Sequence, residues 1–150
     1  MNKVLLVFAS MSGNTEGIAH LVAEGIKQAG KEVDIKEIFD ATAKDLLEYD
    51  GIILGAYTWG DGELPDDFLD FYDDMDATNL TGKKAAVFGS GDHAYLHFCA
   101  AVDILENKLQ ECGAELVQEG LKIEMSPTSA EEEQCKDFGR KFAAQLLSIG

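Results

Sequence analysis

Five times along this chain an apolar run is followed by a segment whose apolar residues recur at helical spacing. The runs are residues 3–9, 32–38, 51–57, 84–89 and 114–123. The first helical segment, 14–29, lines up Ile18, Leu21, Val22, Gly25, Ile26 and Ala29, and Gly30 stops it. The second is short, 42–47. The third starts near Pro65, with Asp66 and Asp67 in the first turn and Phe68, Phe71, Tyr72 and Met75 on one face. The fourth carries Phe98, Val102, Leu105, Leu109 and Cys112 up to Gly113. The fifth starts near Ser129, with Glu132 placed for a capping box, and buries Cys135, Phe138, Phe142 and Leu146. Alternation of this kind argues for a parallel sheet covered by helices on both faces.

The composition of the runs orders the strands. Those at 3–9, 51–57 and 84–89 are nearly continuous in apolar residues, as central parallel strands are. Those at 32–38 and 114–123 are mixed, with Glu32, Asp34 and Lys36 in one and Glu115, Gln118 and Glu119 in the other. Mixed strands suit sheet edges. The expected architecture is therefore a single three-layer α/β domain over residues 1–150, with five parallel strands in the order 2-1-3-4-5. The winding reverses between the first and third strands, and ligands of such folds bind there, beyond the carboxyl ends of the strands.

Charge narrows the partners. The net charge is −16, and residues 61–76 hold eight acids and no base, half of that total. Such a surface repels nucleic acid and anionic membranes and attracts basic partners. The longest apolar stretches are strand-length, too short to span a bilayer. The N-terminal run reads as a strand, not a leader. Three widely spaced cysteines, Cys99, Cys112 and Cys135, fit neither a disulfide framework nor a metal site, and a reducing cytoplasm is the expected setting. Cys112 and Cys135 lie on apolar helix faces, and His20 on a helix surface.

Three unusual loops follow the three central strands. Ser10-Met11-Ser12-Gly13-Asn14-Thr15 joins a strand to a helix, where free N–H groups and the helix dipole favour an anion. It has hydroxyls and an amide but no Lys or Arg, and it matches neither a Walker loop nor G-x-G-x-x-G. A monophosphate held without Mg²⁺ suits it. Thr58-Trp59-Gly60-Asp61-Gly62-Glu63 places the only Trp at a strand end beside two glycines that permit backbone rotation. Gly89-Ser90-Gly91-Asp92-His93-Ala94-Tyr95, continuing through His97, Phe98 and Cys99, adds a second flat ring. Together they describe a ligand with a phosphate tail and a planar ring clamped between Trp59 and Tyr95.

On these residues the chain resembles the flavodoxins over its whole length. Residues 10–15 match the flavodoxin phosphate loop, Thr58-Trp59-Gly60-Asp61 the first isoalloxazine loop, and Gly89-Ser90-Gly91-Asp92 with Tyr95, Phe98 and Cys99 the second. The resemblance implies non-covalent FMN and one-electron transfer at low potential. The run at 114–123 reads as unbroken, as in the short-chain type. It also implies roles. Ser10, Ser12, Asn14 and Thr15 side chains, with N–H groups of the loop, that of Met11 among them, would hold the phosphate. Tyr57, Thr58, Trp59, Gly60 and Asp61 would flank one side of the ring, with the Gly60 carbonyl turning toward the flavin on reduction. Ser90, Gly91, Asp92, Tyr95, His97, Phe98 and Cys99 would flank the other, with Asp92 reading the pyrimidine edge. Met11 stands where the family often has Thr and offers no hydroxyl. The implied partners are an NAD(P)H-dependent reductase as donor and a flavodoxin-dependent oxygenase, desaturase or reductase as acceptor, each met through a basic surface by a monomer.

Two other readings compete. A response-regulator receiver shares the strand order but needs acids after the first strand and an Asp ending the third, where this chain has Ala9-Ser10 and Ala56-Tyr57. A small FMN-dependent quinone or NAD(P)H oxidoreductase needs a second substrate site, and no nicotinamide motif is present.

Overall fold

The computed structural model describes residues 3–10, 13–57, 64–91, 100–124 and 128–147. Three central strands are built from the continuous apolar runs: β1 (Lys3–Phe8), β3 (Gly51–Tyr57) and β4 (Lys84–Gly91). β2 (Glu32–Glu37) pairs with β1 on one edge. β5 (Glu115–Leu116) and β6 (Leu121–Glu124) both pair with β4 on the other. Every pairing is parallel, in the order β2-β1-β3-β4-β5. This is the expected three-layer flavodoxin-like sheet.

The helices are α1 (Asn14–Gln28), α2 (Asp66–Asp74), α3 (Ala100–Glu111) and α4 (Ser129–Leu147), with 3₁₀ turns at Ile38–Asp40, Ala43–Glu48 and Met75–Ala77. Alternate residues of the central strands feed two separate cores. Val4, Leu6, Phe8, Ile53, Ala86 and Phe88 pack under α1 and α4. Leu5, Val7, Ile52, Leu54, Ala85 and Val87 pack under α2, α3 and the 3₁₀ turns. Gly30 and Gly113 take φ of 86° and 100° just past α1 and α3, the left-handed conformation that ends a helix.

Three local expectations are corrected. The last strand is broken. Gln118 Nε2 donates to the Phe138 carbonyl of α4 at 3.0 Å, which draws the chain off β4. Gly120 lies so close to Val102 of α3 that a Cβ would come within 2.6 Å of it. Between the pairs Ala85↔Leu116 and Phe88↔Leu121, two residues of β4 face four on the edge. The excess is two, an even number, so side-chain parity survives and Leu121 and Ile123 still point into the core. Secondly, β4 runs two residues past 89, so Ser90 and Gly91 belong to the sheet. Thirdly, the box capping α4 is formed by Thr128 and Glu131. The Glu131 N–H donates to Thr128 Oγ1 at 3.2 Å and the Thr128 N–H to Glu131 Oε1 at 3.0 Å.

At the edge, Tyr49 Oη donates to Asp34 Oδ2 at 2.6 Å, tying β2 to the turn before β3. This bond holds the Asp34 carboxyl below its usual range and, with burial, pushes the Tyr49 phenol up to about 12. A raised tyrosine pKa stabilises the fold below the unfolded value of 10.0, and the contribution fades as pH climbs to about 12. Tyr49→Phe is expected to cost about 1 kcal/mol in urea unfolding at neutral pH. In the same assay at about pH 11 the cost should be smaller, because the lost contribution is already fading there. An equal cost at both pH values would rule this linkage out.

Candidate functional site

The ends of β1, β3 and β4 lie side by side. Phe8 registers with Gly55, Gly55 with Phe88, Ala56 with Gly89, and Tyr57 with Ser90. The ladder extends one step further, the Ala9 N–H donating to the Gly55 carbonyl at 3.0 Å. Ser10 follows, and the chain turns into α1 through Gly13, whose φ of 89° is left-handed. No side chain at Gly13 caps the helix. Ser10 does this from outside: its Oγ accepts the N–H of Gly13 at 3.1 Å and of Glu16 at 3.3 Å.

Those two bonds have a chemical consequence. A hydroxyl has one proton and two lone pairs. With both lone pairs of Ser10 Oγ used by N–H groups, the proton is all it has left to offer. Ser10 becomes a donor at the mouth of the α1 dipole, where an anion is stabilised. An uncharged loop can thus hold a phosphate.

Thr15 is deeper than the sequence suggests. It is 1% exposed, and its Oγ1 lies 2.7 Å from Oγ of Ser90, which is 3% exposed. The first turn of α1 and the end of β4 are therefore joined by a buried hydroxyl pair. The sequence contains the signal. Thr15 heads the stripe Ile18, Ala19, Val22 and Ile26 on α1, and Ser90 lies two residues beyond Phe88 on the same sheet face.

Tyr57 ends β3, half-buried. Burial, with Asp67 and Asp66 of α2 adding to it, raises its phenol pKa. The carboxylates of α2 thus add to the effect of burial at the end of β3. Asp66, Asp67, Asp70, Asp73 and Asp74 are exposed on α2. Asp76 has a cation the sequence did not reveal: it accepts from the Lys108 ammonium, which is buried and 4.5 Å from the centre of the Tyr72 ring. This bond to Asp76 raises the Lys108 pKa.

Of the expected site residues, Ser10, Gly13, Asn14, Thr15, Tyr57, Ser90 and Gly91 are brought to this one end of the sheet. Met11, Ser12, Thr58, Trp59, Gly60, Asp61, Asp92, Tyr95, His97, Phe98 and Cys99 lie outside the described residues, as does His93. His20 is on the α1 surface beside Glu16, and Cys135 is fully buried, its thiol pushed up to about 11 by burial. Among the described residues no cluster of His, Cys, Asp or Glu could hold a metal.

A doubly wound sheet with the Ser10 donor at a helix mouth beside its switch point suits a phosphate-binding α/β protein. Comparison with known proteins makes this specific. The flavodoxin family model matches residues 6–139. Probable flavodoxin 2 of Bacillus subtilis is 51% identical over 144 residues, covering 95% of each chain. The flavodoxin of Maridesulfovibrio salexigens is 42% identical and covers 97% of this chain and 100% of its own. The crystal structure of oxidised flavodoxin 1 from Bacillus cereus superposes with a TM-score of 0.93 at 56% identity, covering 95% of this chain and 98% of that one. The chain belongs to the flavodoxin family and is of the short-chain type. Its cofactor is non-covalent FMN, and it is an electron carrier rather than an enzyme.

Proposed function

We propose that this protein is a low-potential one-electron shuttle that receives electrons from an NAD(P)H-dependent reductase and delivers them to a redox enzyme. The carrying observation is the Ser10 hydroxyl, turned into a donor by the Gly13 and Glu16 N–H groups at the α1 mouth. FMN supplies the one-electron chemistry; the chain binds it, orients it and excludes water. In this reading Ser10, Ser12, Asn14 and Thr15, with the Met11 N–H group, hold the phosphate, and Gly13, whose N–H is taken by Ser10 Oγ, turns the chain beneath it. Tyr57, Thr58, Trp59, Gly60 and Asp61 line one side of the ring. Ser90, Gly91, Asp92, Tyr95, His97, Phe98 and Cys99 line the other, Trp59 and Tyr95 forming the walls.

Docking follows from charge. α2 sits directly beside the strand ends and carries its carboxylates outward. Phe39, 68% exposed, stands in the same groove as Asp66, Asp67, Asp70 and Asp74. An aromatic face among carboxylates suits a basic partner surface with an apolar centre. The reading places the protein in the cytoplasm, as a monomer. No helix among the described residues is long and apolar enough to cross a membrane.

The test is spectroscopic. The purified protein is expected to be yellow and to release one FMN on acid treatment. Stepwise reduction should pass through a form with a broad long-wavelength band before bleaching. Colourless protein that takes up no added FMN would overturn the reading. Rapid NAD(P)H oxidation without any partner protein would favour a self-contained oxidoreductase.

A further inference from the structure

The buried pair Thr15–Ser90 contains two hydroxyls, hence two protons and four lone pairs. Only one proton can lie between the oxygens, and the 2.7 Å geometry accepts either direction. The directions are not equivalent for an anion at the α1 mouth. If Thr15 donates to Ser90, Thr15 offers an anion only lone pairs, which repel it. If Ser90 donates to Thr15, the Thr15 proton is released toward the phosphate. Thr15 and Ser90 are too buried for water to compensate for a wrong choice.

We propose that Ser90 is a positioning residue: it donates to Thr15 Oγ1 and thereby makes Thr15 a hydroxyl donor to the FMN phosphate. The proposal rests on the phosphate site described above. Ser90 then acts on the phosphate through Thr15, although it belongs by sequence to the ring loop. Ser10 is converted to a donor by two backbone N–H groups, and Thr15 by one side chain 75 positions away. A hydroxyl oriented by neighbouring donors, at Ser10 by two and at Thr15 by one, lets residues 10–15 offer protons to an anion without Lys or Arg. Because the chain is hydroxyl to hydroxyl to phosphate, each bond polarises the next.

The link is also mechanical. Thr15 is on the first turn of α1 and Ser90 is near the end of β4, just before the ring loop. Fixing the direction of their bond when phosphate is bound couples the two loops that grip opposite ends of the ligand.

The experiment uses FMN and riboflavin, which differ only in the phosphate, titrated into the full-length chain freed of FMN. The quantity read is the ratio of the two dissociation constants. In Ser90→Ala Thr15 keeps its own proton but loses the donor that orients and polarises it, so the preference for FMN over riboflavin is expected to fall about threefold, less than in Thr15→Val, which loses the bond to the phosphate itself. Ser90→Cys fills the same space with a weak donor, so its preference should fall as well, and it serves if the alanine variant does not fold. In a Thr15→Val background, Ser90→Ala should change the ratio no further. Binding of inorganic phosphate to the FMN-free chain should weaken in parallel. Equal loss of FMN and riboflavin affinity would mean a purely structural role and overturn the proposal. So would an unchanged ratio, or a Ser90 effect that persists in Thr15→Val. Failure of the parent chain to bind FMN at all would instead overturn the function proposed above.

Discussion

Gly139→Ala is expected to unfold about 3 kcal/mol more easily than the parent protein, a drop of roughly 10 °C in melting temperature. A Cβ on Gly139 of α4 would come within 2.0 Å of the Val22 carbonyl oxygen of α1. A Cβ on Gly25 of α1 would likewise come within 2.0 Å of the Lys136 carbonyl oxygen of α4. These neighbours are backbone atoms, so no rotamer change relieves the clash, and the helices must separate. Their buried residues Ile18, Val22, Ile26, Phe138 and Phe142 would then lose contact in one core. The same movement displaces the α1 mouth, so FMN affinity should fall along with stability. Calorimetry and an FMN titration read the two effects. A variant within 0.5 kcal/mol of the parent, a margin typical of surface changes, would show that this contact does not set the helix spacing.

The second large effect is on partner reaction. Replacing Asp66, Asp67, Asp70 and Asp74 together by Asn removes four exposed charges from the α2 groove. Reduction of a basic cytochrome c at low ionic strength should slow about tenfold, and its decline with added salt should flatten. A neutral quinone acceptor provides the control, because steering by charge does not act on it. The redox potential should move upward as well. One charge at ~10 Å in an effective dielectric of ~20 is worth ~1.7 kcal/mol, about 70 mV for one electron, before screening reduces it. Exposure on α2 reduces the effect to a few tens of millivolts per residue. An unchanged salt slope would show that the cytochrome docks elsewhere.

The sheet was legible because its signals are local. Apolar runs named the three central strands, mixed runs named the edges, and Gly30 and Gly113 marked helix ends that the positive φ values explain. What was not legible depended on distant groups. The break in the last strand needs the Phe138 carbonyl, which Gln118 reaches across the edge. Thr128 and Ser129 each stand three residues before a glutamate, so two capping boxes overlap in the sequence, and the chain forms the first. The acidic run contains no base of its own, yet Lys108 comes from α3 to meet Asp76.

In the site, strand ends and the α1 mouth were readable from residue type alone. Thr15 was assigned to the phosphate and Ser90 to the ring. Their contact follows from two separate periodicities, one helical and one of strand type, that point into the same core. Neither periodicity alone contains it.

The broken strand has a consequence for the protein among its own copies. An uninterrupted sheet edge offers a row of free peptide groups on which another molecule can add a strand, the first step of aggregation. Here β5 is two residues and β6 four, with Gln118 and Gly120 drawn aside between them. The opposite edge, β2, carries Glu32, Asp34, Lys36 and Glu37. Among the described residues neither margin presents a long, flat, uncharged template, so neither invites a strand from another copy.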